Sequence, residues 1–312
     1  MTDKVIYTFW EPRDRVIPYL ALCMRTWEKN LPGYSVVVLN YSNLDRYWDR
    51  AEYDLARLKQ LRLPSQKNAI SIAVIQKHGG VFMDIDTLVF GDLDPILRRL
   101  ENTQLVMFGS HMAFLAAQPN SHLLTLMAAR NQAKMKALVN EEAWANVPWD
   151  YFGNGTLTEA TDEIINRSRL NRLQTQAIDR VDRFVSSPAG WAGRLARPAR
   201  WLGHGFLRRR KEFEFDTIYR KYLTRLDRKK YNYILEARAY EGQHLEPEKE
   251  YLNYWFQSDL DVNAVRGLNP ILVGLHNSWT PQWYKDLSEQ EVLQNPCLLS
   301  RTLKSVLDSP RA

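Results

Sequence analysis

A chain of 312 residues with 45% apolar and 25% charged content can bury a substantial core, which excludes disordered and fibrous classes. The net charge of +6 suits an anionic partner: a nucleoside diphosphate, a lipid phosphate, an acidic membrane face or nucleic acid. Two cysteines, Cys23 and Cys297, exclude a disulfide framework and suit a reducing compartment.

Lys4 to Trp10 reads as a strand, because Val5, Ile6, Tyr7, Thr8 and Phe9 all favour β structure; Glu11-Pro12 ends it. Val16 to Asn30 reads as a helix, with Ile17, Leu20, Ala21, Met24 and Trp27 at helical spacing. Leu31-Pro32-Gly33 is a turn, and Tyr34 to Leu39 is a second strand of the buried parallel kind. Asp45 to Leu63 is polar and is expected to be helical. Pro64-Ser65 then starts an apolar helix over Gln66 to His78, stopped by Gly79-Gly80. A third strand is expected from Val81 to Phe90, and two shorter ones over Leu105–Phe108 and Met112–Ala117. Helices follow over Ser121–Ala137 and Thr156–Asn166, with Phe152 to Gly155 a loop between them. Ile271 to His276 is a last apolar strand.

This order of strands and helices predicts an α/β fold in one domain spanning residues 1–312. A basic, partly helical insertion is expected over about 188–241. It holds Arg194, Arg197, Arg200, the run Arg208 to Lys211, and Arg220 to Lys230, with Trp191, Trp201 and Phe206 interleaved. It reads as a solvated helical face or as a patch of Arg194–Lys230 meeting an anionic membrane. Nucleic acid is not expected, since no binding motif accompanies the charge. Met1 to Trp10 lacks a signal-peptide pattern, and no run approaches the ~18 apolar residues of a spanning helix. A cytoplasmic location is therefore expected, with peripheral contact on the inner membrane face in the membrane-patch reading.

The strongest chemical signal is Gly79-Gly80-Val81-Phe82-Met83-Asp84-Ile85-Asp86. On an extended segment two carboxylates at i and i+2 point to the same side. Side by side they repel unless a cation lies between or beside them, and hard oxygens select Mg²⁺ or Mn²⁺. Such an ion keeps positions open for substrate phosphates. The alternative is a surface turn that merely contains two aspartates. The apolar helix, glycine stop and apolar strand that lead into it favour the functional reading.

The segment Asn68 to Phe90 resembles the core of the glycosyltransferases that carry the DXD sugar-binding motif. That group includes bacterial capsular-polysaccharide synthesis enzymes, yeast initiating mannosyltransferases and the glucosyltransferase domains of clostridial toxins. Ile6 to Trp10 resembles the family's opening strand, whose terminal Trp stacks on the nucleotide base. Trp27 and Leu31-Pro32-Gly33-Tyr34 resemble its second helix and strand. His276-Asn277-Ser278-Trp279 resembles the C-terminal segment that closes over metal and diphosphate. The resemblance covers about residues 4–160 and 270–280. It implies a GT-A type, Rossmann-like mixed sheet flanked by helices, a divalent cation (Mn²⁺ or Mg²⁺), and retention of anomeric configuration. It implies a nucleotide-diphosphate sugar as donor, UDP by preference, and a surface-polysaccharide or lipid-linked glycan as acceptor.

By that resemblance Asp84 and Asp86 are the catalytic pair and, with His276, the metal set. Trp10, Asn68, Asp84, Asn154, Ser278 and Trp279 are the nucleotide and sugar contacts. For several of these the residues leave two readings open. Trp10 is a stacking platform or core. His276 is a ligand, favouring Mn²⁺, or a strand-end histidine. Asn154, between two glycines, lines the sugar pocket or makes an ordinary turn. Trp279 contacts diphosphate or packs the closing segment.

One departure matters: the family places an Asp and, three residues on, an Arg where this chain has Asn68 and Ser71. Asn68 can still bond sugar hydroxyls, but Ser71 supplies no charge. A catalytically decayed scaffold protein of a polysaccharide assembly complex is therefore the alternative function. A phosphotransferase or hydrolase is a third reading, disfavoured because no Gly-rich Lys loop is present.

Overall fold

The computed structural model describes residues 4–48, 54–138, 143–144, 146–148, 150–167 and 219–310. The first part of the basic stretch, including Trp191, Arg194, Trp201, Phe206 and Arg208 to Lys211, lies outside them, and so does that part of the expected membrane patch, while Arg220 to Lys230 lie within them.

Eight strands are described: β1 (Val5–Phe9), β2 (Ser35–Leu39), β3 (Gly80–Met83), β4 (Thr87–Val89), β5 (Leu105–Phe108), β6 (His111–Ala117), β7 (Thr224–Leu226) and β8 (Leu272–Gly274). Six form a mixed sheet in the order β2-β1-β3-β6-β5-β7, and β4 with β8 forms a separate ribbon. β2, β1 and β3 run parallel, β6 is antiparallel to both its neighbours, and β7 is parallel to β5. The longer helices are α1 (Pro18–Asn30), α2 (Leu63–His78), α3 (His122–Ala137), α4 (Asn154–Arg167) and α5 (Leu298–Asp308). The mixed α/β sheet flanked by helices agrees with the fold class expected from sequence.

Side-chain alternation along the strands divides the core. Tyr7, Phe9 and Phe82 face the layer built by α2, α3 and α4. Ile6, Val81 and Met83 face the opposite layer, where Trp27 of α1 lies. A third cluster joins α1 to α5 and to the C-terminal segment through Tyr19, Leu20, Cys23, Leu299 and Leu303. Helices thus cover both faces of β1, β2 and β3, and the chain reverses its direction across the sheet between β2 and β3. Ligand crevices in open α/β sheets lie at the carboxyl ends of strands at such a reversal.

Several boundaries differ from the sequence reading. The expected helix over 45–63 is broken in its described parts into a 3₁₀ turn at Leu44–Arg46 and one turn at Leu55–Leu58. Polar side chains compete for the backbone there: Asn43 Nδ2 donates to the Val38 carbonyl at 2.8 Å, and Asp54 caps Ala56 and Arg57. α2 begins at Leu63, with Pro64 in its first turn, where a missing N–H costs nothing. α4 begins at Asn154, so the Gly-Asn-Gly loop is partly helix.

The expected strand Val81–Phe90 is two strands. The chain leaves the main sheet at Met83, turns over Asp84 to Asp86 with the Thr87 N–H donating to the Asp84 carbonyl at 3.1 Å, and enters the ribbon. The two carboxylates therefore flank a turn and are not spaced along a straight strand. The last strand is likewise shortened to Leu272–Gly274 and pairs with β4, outside the main sheet. β4's other edge is satisfied by α1: Trp27 Nε1 donates to the Thr87 carbonyl at 2.6 Å and Asn30 Nδ2 to the Val89 carbonyl at 2.7 Å, while Thr26 Oγ1 accepts from the Val89 N–H at 3.0 Å.

Candidate active site

β1 and β3 are adjacent and parallel, with Tyr7 opposite Phe82. Carried three residues further, that register brings Trp10 level with the Asp84–Asp86 turn. Two of the sequence-predicted residues are thus delivered to one sheet end by the topology alone. Trp10 is half-buried against the cluster shared by α1 and the C-terminal segment, and its Nε1 donates to the Arg15 carbonyl at 3.1 Å.

Gly79, just before β3, and Gly80, its first residue, make its approach possible. Gly79 and Gly80 both have positive φ, and a Cβ on Gly80 would lie 2.9 Å from the Val5 carbonyl oxygen of β1. Any larger residue would force β3 away from β1 and displace the turn.

The two carboxylates of that turn have different surroundings. Lys67 of α2 reaches Asp84 with Nζ 2.9 Å from Oδ1 and 3.0 Å from Oδ2. Asp86 is buried and meets the C-terminal segment: the Asn277 N–H donates to its Oδ2 at 2.7 Å, and the Leu275 N–H to its carbonyl at 3.0 Å. Burial and then the charge of Asp84 push the Asp86 carboxyl up to about 6. The Asn277 N–H, His276 and Lys67 oppose that rise.

His276 lies on the same segment. Its Nε2 is 3.5 Å from Oε1 of Glu236, which is buried and opens the helical turn Glu236–Ala239. The Trp279 ring lies 4.2 Å from the His276 ring, with Tyr251 at 5.5 Å and His111 at 6.0 Å. Tyr19 of α1 donates to Asn277 Oδ1 at 2.6 Å, and Tyr251 and Thr280 hydroxyls are 2.9 Å apart. These bonds pin the segment to α1 and to the helix Pro247–Leu252. Ser278 is exposed beside it. His111, at the start of β6, is kept neutral: burial, then Lys67, His276 and Arg228, push its imidazole down to about 3.

The opposite wall carries Asn68 and Asn154. Gly153 has φ +130°, and a Cβ there would stand 2.7 Å from Asn68 Nδ2 and 3.2 Å from Met112 Cγ. Asn68 therefore packs against the glycine that precedes Asn154. The Oδ1 atoms of Asn68 and Asn154 are buried without a hydrogen-bond partner in the protein. Each is an unpaired acceptor of the kind that a sugar hydroxyl can satisfy. Ser71 turns away, its Oγ donating to the Asn68 carbonyl at 3.0 Å.

The donor set suits a hard divalent cation. Two neighbouring carboxylates share one nearby lysine, and the Asp86 carboxyl is raised by burial first and by the charge of Asp84 second. Among the described residues no three His, Cys, Asp or Glu side chains are grouped as ligands. Asp84 is engaged by Lys67 and His276 Nε2 faces Glu236, so the expected trio of Asp84, Asp86 and His276 does not converge by itself. An ion held here would complete its shell with water and substrate oxygen, as Mg²⁺ and Mn²⁺ do.

Lys67, Glu236, Asn277, Tyr19, Tyr251 and His111 were not singled out from the sequence. Lys67 precedes Asn68 on the helix already implicated, which was a usable signal. Asn277 acts through its backbone N–H, which no residue type advertises. Glu236 lies in a stretch dominated by basic residues, with no local pattern that marks it.

The family model described as glycosyltransferase sugar-binding region containing DXD motif matches residues 18–102. That span runs from the first residue of α1 past β4 and includes Asp84 and Asp86. The chain carries this family's DXD region and is an enzyme of the glycosyltransferase class. Among solved structures, the PaToxG glycosyltransferase aligns over 57% of this chain and 75% of its own, at 14% identity and a TM-score of 0.35. The glycosyltransferase GlyE of Streptococcus pneumoniae TIGR4 aligns over 99% of this chain and 61% of its own, at 10% identity and a TM-score of 0.39. Neither superposition is close enough to carry a residue or a substrate across. Comparison with curated proteins yields no match. Among the described residues no helix is long and apolar enough to cross a membrane.

Proposed function

We propose that the chain is a metal-dependent, retaining glycosyltransferase. It moves a hexose or N-acetylhexosamine from a nucleotide-diphosphate sugar, UDP-linked by preference, to a surface-polysaccharide or lipid-linked glycan. The observation that carries this reading is the buried Asp86, whose carboxyl is raised beside Asp84 at the carboxyl end of the sheet. A buried carboxylate is relieved either by protonation or by a cation beside it, and above pH 6 a bound cation is the relief that leaves Asp86 ionised.

Asp86 is the principal metal ligand, supported by Asp84 and His276. A bound Mn²⁺ or Mg²⁺ supplies charge stabilisation for the departing nucleoside diphosphate. Trp10 offers its ring face to the base while the Arg15 carbonyl holds its edge. Asn68 and Asn154 accept from sugar hydroxyls. Lys67 holds Asp84 in place through both of its oxygens, and Ser278 and Trp279 border the diphosphate. In a front-face transfer the bond from the anomeric carbon to the phosphate oxygen breaks as the bond to the acceptor oxygen forms. The acceptor proton passes to the leaving oxygen, and no carboxylate of the chain acts as nucleophile.

The test is a thermal-shift panel of nucleoside diphosphates and nucleotide sugars, with and without Mn²⁺, on wild type and Asp86→Ala. A ligand at a hundred times its dissociation constant stabilises by about 2.7 kcal/mol. One nucleotide sugar should stabilise only with metal and only with Asp86 present. If none stabilises the wild type, the transferase reading falls and the scaffold reading takes its place.

A further inference from the structure

Glu236 has no part in the reading above, yet it is one of the most buried charged side chains described, 2% exposed. Its two oxygens face two different groups. Oε2 accepts from Trp255 Nε1 at 3.2 Å, and Trp255 is fully buried in the π-helical turn Asn253–Gln257. Oε1 has no hydrogen bond and lies 3.5 Å from His276 Nε2. A buried carboxylate oxygen demands a donor. His276 provides one when its proton sits on Nε2, and a small rotation of the ring shortens 3.5 Å to a hydrogen bond.

We propose that Glu236 is a positioning residue that fixes His276 as the Nε2–H tautomer and so leaves Nδ1 as the ring's one lone pair. Trp279, Tyr251 and His111 surround the ring and limit its reorientation. Histidines that bind metals through one nitrogen commonly donate the other to a carboxylate. The consequence for metal binding rests on the transferase reading, whereas the tautomer does not.

Two donors converge on Glu236, which explains why the position needs a carboxylate and not an amide. An indole N–H can only donate. In Glu236→Gln the single amide oxygen is claimed by Trp255, and the amide NH₂ turns to His276. Nε2 must then accept, so the proton moves to Nδ1. Removing the indole N–H by Trp255→Phe in that background frees the Gln oxygen to face His276, and the tautomer returns.

The experiment is long-range ¹⁵N–¹H NMR of histidine-labelled, metal-free protein at pH 8, with His276 assigned by loss of its signal in His276→Gln. The wild type should show Nε2–H, Glu236→Gln should show Nδ1–H, and Glu236→Gln/Trp255→Phe should return to Nε2–H. An imidazolium or Nδ1–H in the wild type overturns the proposal, whether or not the variants fold. An unchanged tautomer in Glu236→Gln overturns it as well. A parallel Mn²⁺ titration followed by EPR in the presence of UDP should show affinity falling roughly 10- to 100-fold in Glu236→Gln and recovering in part in the double variant. Should the tautomers behave as stated while wild type binds no Mn²⁺, the metal-dependent reading fails and the positioning role stands. Should wild type bind Mn²⁺ and a donor while the tautomer never changes, the reverse holds.

Discussion

The site has two walls, and they are built by different means. One wall is the carboxyl end of β1 and β3 with α2 behind it, bearing Trp10, Lys67, Asn68 and Asp84. Strand pairing and a buried helix hold it, and all of it lies within residues 5–84. The other wall is the segment from Leu275 to Thr280 with Glu236, Tyr251 and Trp255 behind it. Its hydrogen-bonded link to the first runs through the Asp84–Asp86 turn: Asp86 accepts from Asn277, 191 residues away in sequence. Backbone ladders make the first wall stiff, whereas the second is held largely by side-chain bonds that can be exchanged one at a time. Asp86, where the two meet, carries the largest expected effect.

Asp86→Asn should separate stability from activity. Transfer should fall on the order of a thousandfold, comparable to losing a group that stabilises transition-state charge. The metal-free fold should gain stability, on the order of 1–2 kcal/mol at pH 7.5. The sign follows from the raised carboxyl. A folded-state value of about 6 against an ordinary 3.8 makes the acid form the favoured one in the fold. The stability this supplies is complete below 3.8 and lost as pH rises through about 6. The Asn variant should therefore outlast wild type in EDTA above pH 6 and lose that advantage below pH 4. Melting curves across pH check it; equal melting at pH 7.5 would mean that Asp86 is not under electrostatic strain.

Lys67→Met strikes the stiff wall. It leaves Asp84 without the cation that touches both its oxygens, and both side chains are well shielded, at 16% and 25% exposure. The metal-free protein should lose about 1–2 kcal/mol. Added Mn²⁺ should recover part of that loss, since a divalent ion can replace the missing charge. Activity should drop roughly 10- to 100-fold, the range found for groups that support a ligand. If Mn²⁺ restores nothing, Asp84 and the ion do not communicate, and Asp86 acts alone.

Gly153→Ala tests the sugar-facing side more gently. A φ of +130° is costly for alanine, about 1–3 kcal/mol. The new Cβ would also push Asn68 Nδ2 from its place. The donor KM should rise roughly tenfold, with the acceptor KM unchanged. A change in the acceptor term alone would move Asn68 out of the donor site.

The difference between the walls is also a difference in legibility. The first wall was readable because its signals are local: β-branched strands, an apolar helix with a glycine stop, and carboxylates at fixed spacing. Asp84 and Asp86 are legible that way, whereas Trp10 and Asn68 take their site roles only from the family resemblance. Local signals mislead where the chain changes sheets, and the Asp84–Asp86 turn looked like continuous strand because its flanks, Val81 to Met83 and Thr87 to Val89, are equally β-prone. On the second wall His276 and Trp279 were found only by resemblance. Glu236 is joined to His276 across 40 residues by packing, and nothing in its neighbourhood, Ile234-Leu235-Glu236-Ala237, marks it as other than a surface helix residue. Side-chain pairings of that length have no periodicity to read.

Farther from the site the C-terminal wall rests on the short helix Glu289–Gln294, which begins with a reciprocal cap. The Ser288 hydroxyl oxygen accepts from the Glu291 N–H at 3.3 Å, and the Glu291 carboxylate accepts from the Ser288 N–H at 2.8 Å. Those bonds from Ser288 hold the Glu291 carboxyl below its ordinary value of 4.5, so the cap is whole above 4.5 and is lost as pH falls through the lowered value. Ser288→Ala should lower the melting temperature by only about 2 °C in a chain of this size. Because this helix packs on α5 and α1, which carry Tyr19 to the Asn277 side chain, a larger consequence is possible only if the second wall moves as a unit. Measured donor and acceptor KM values equal to wild type would mean that the wall yields locally, bond by bond. A rise in donor KM from a change this remote would show that Leu275 to Thr280 shifts as one body with the helices behind it.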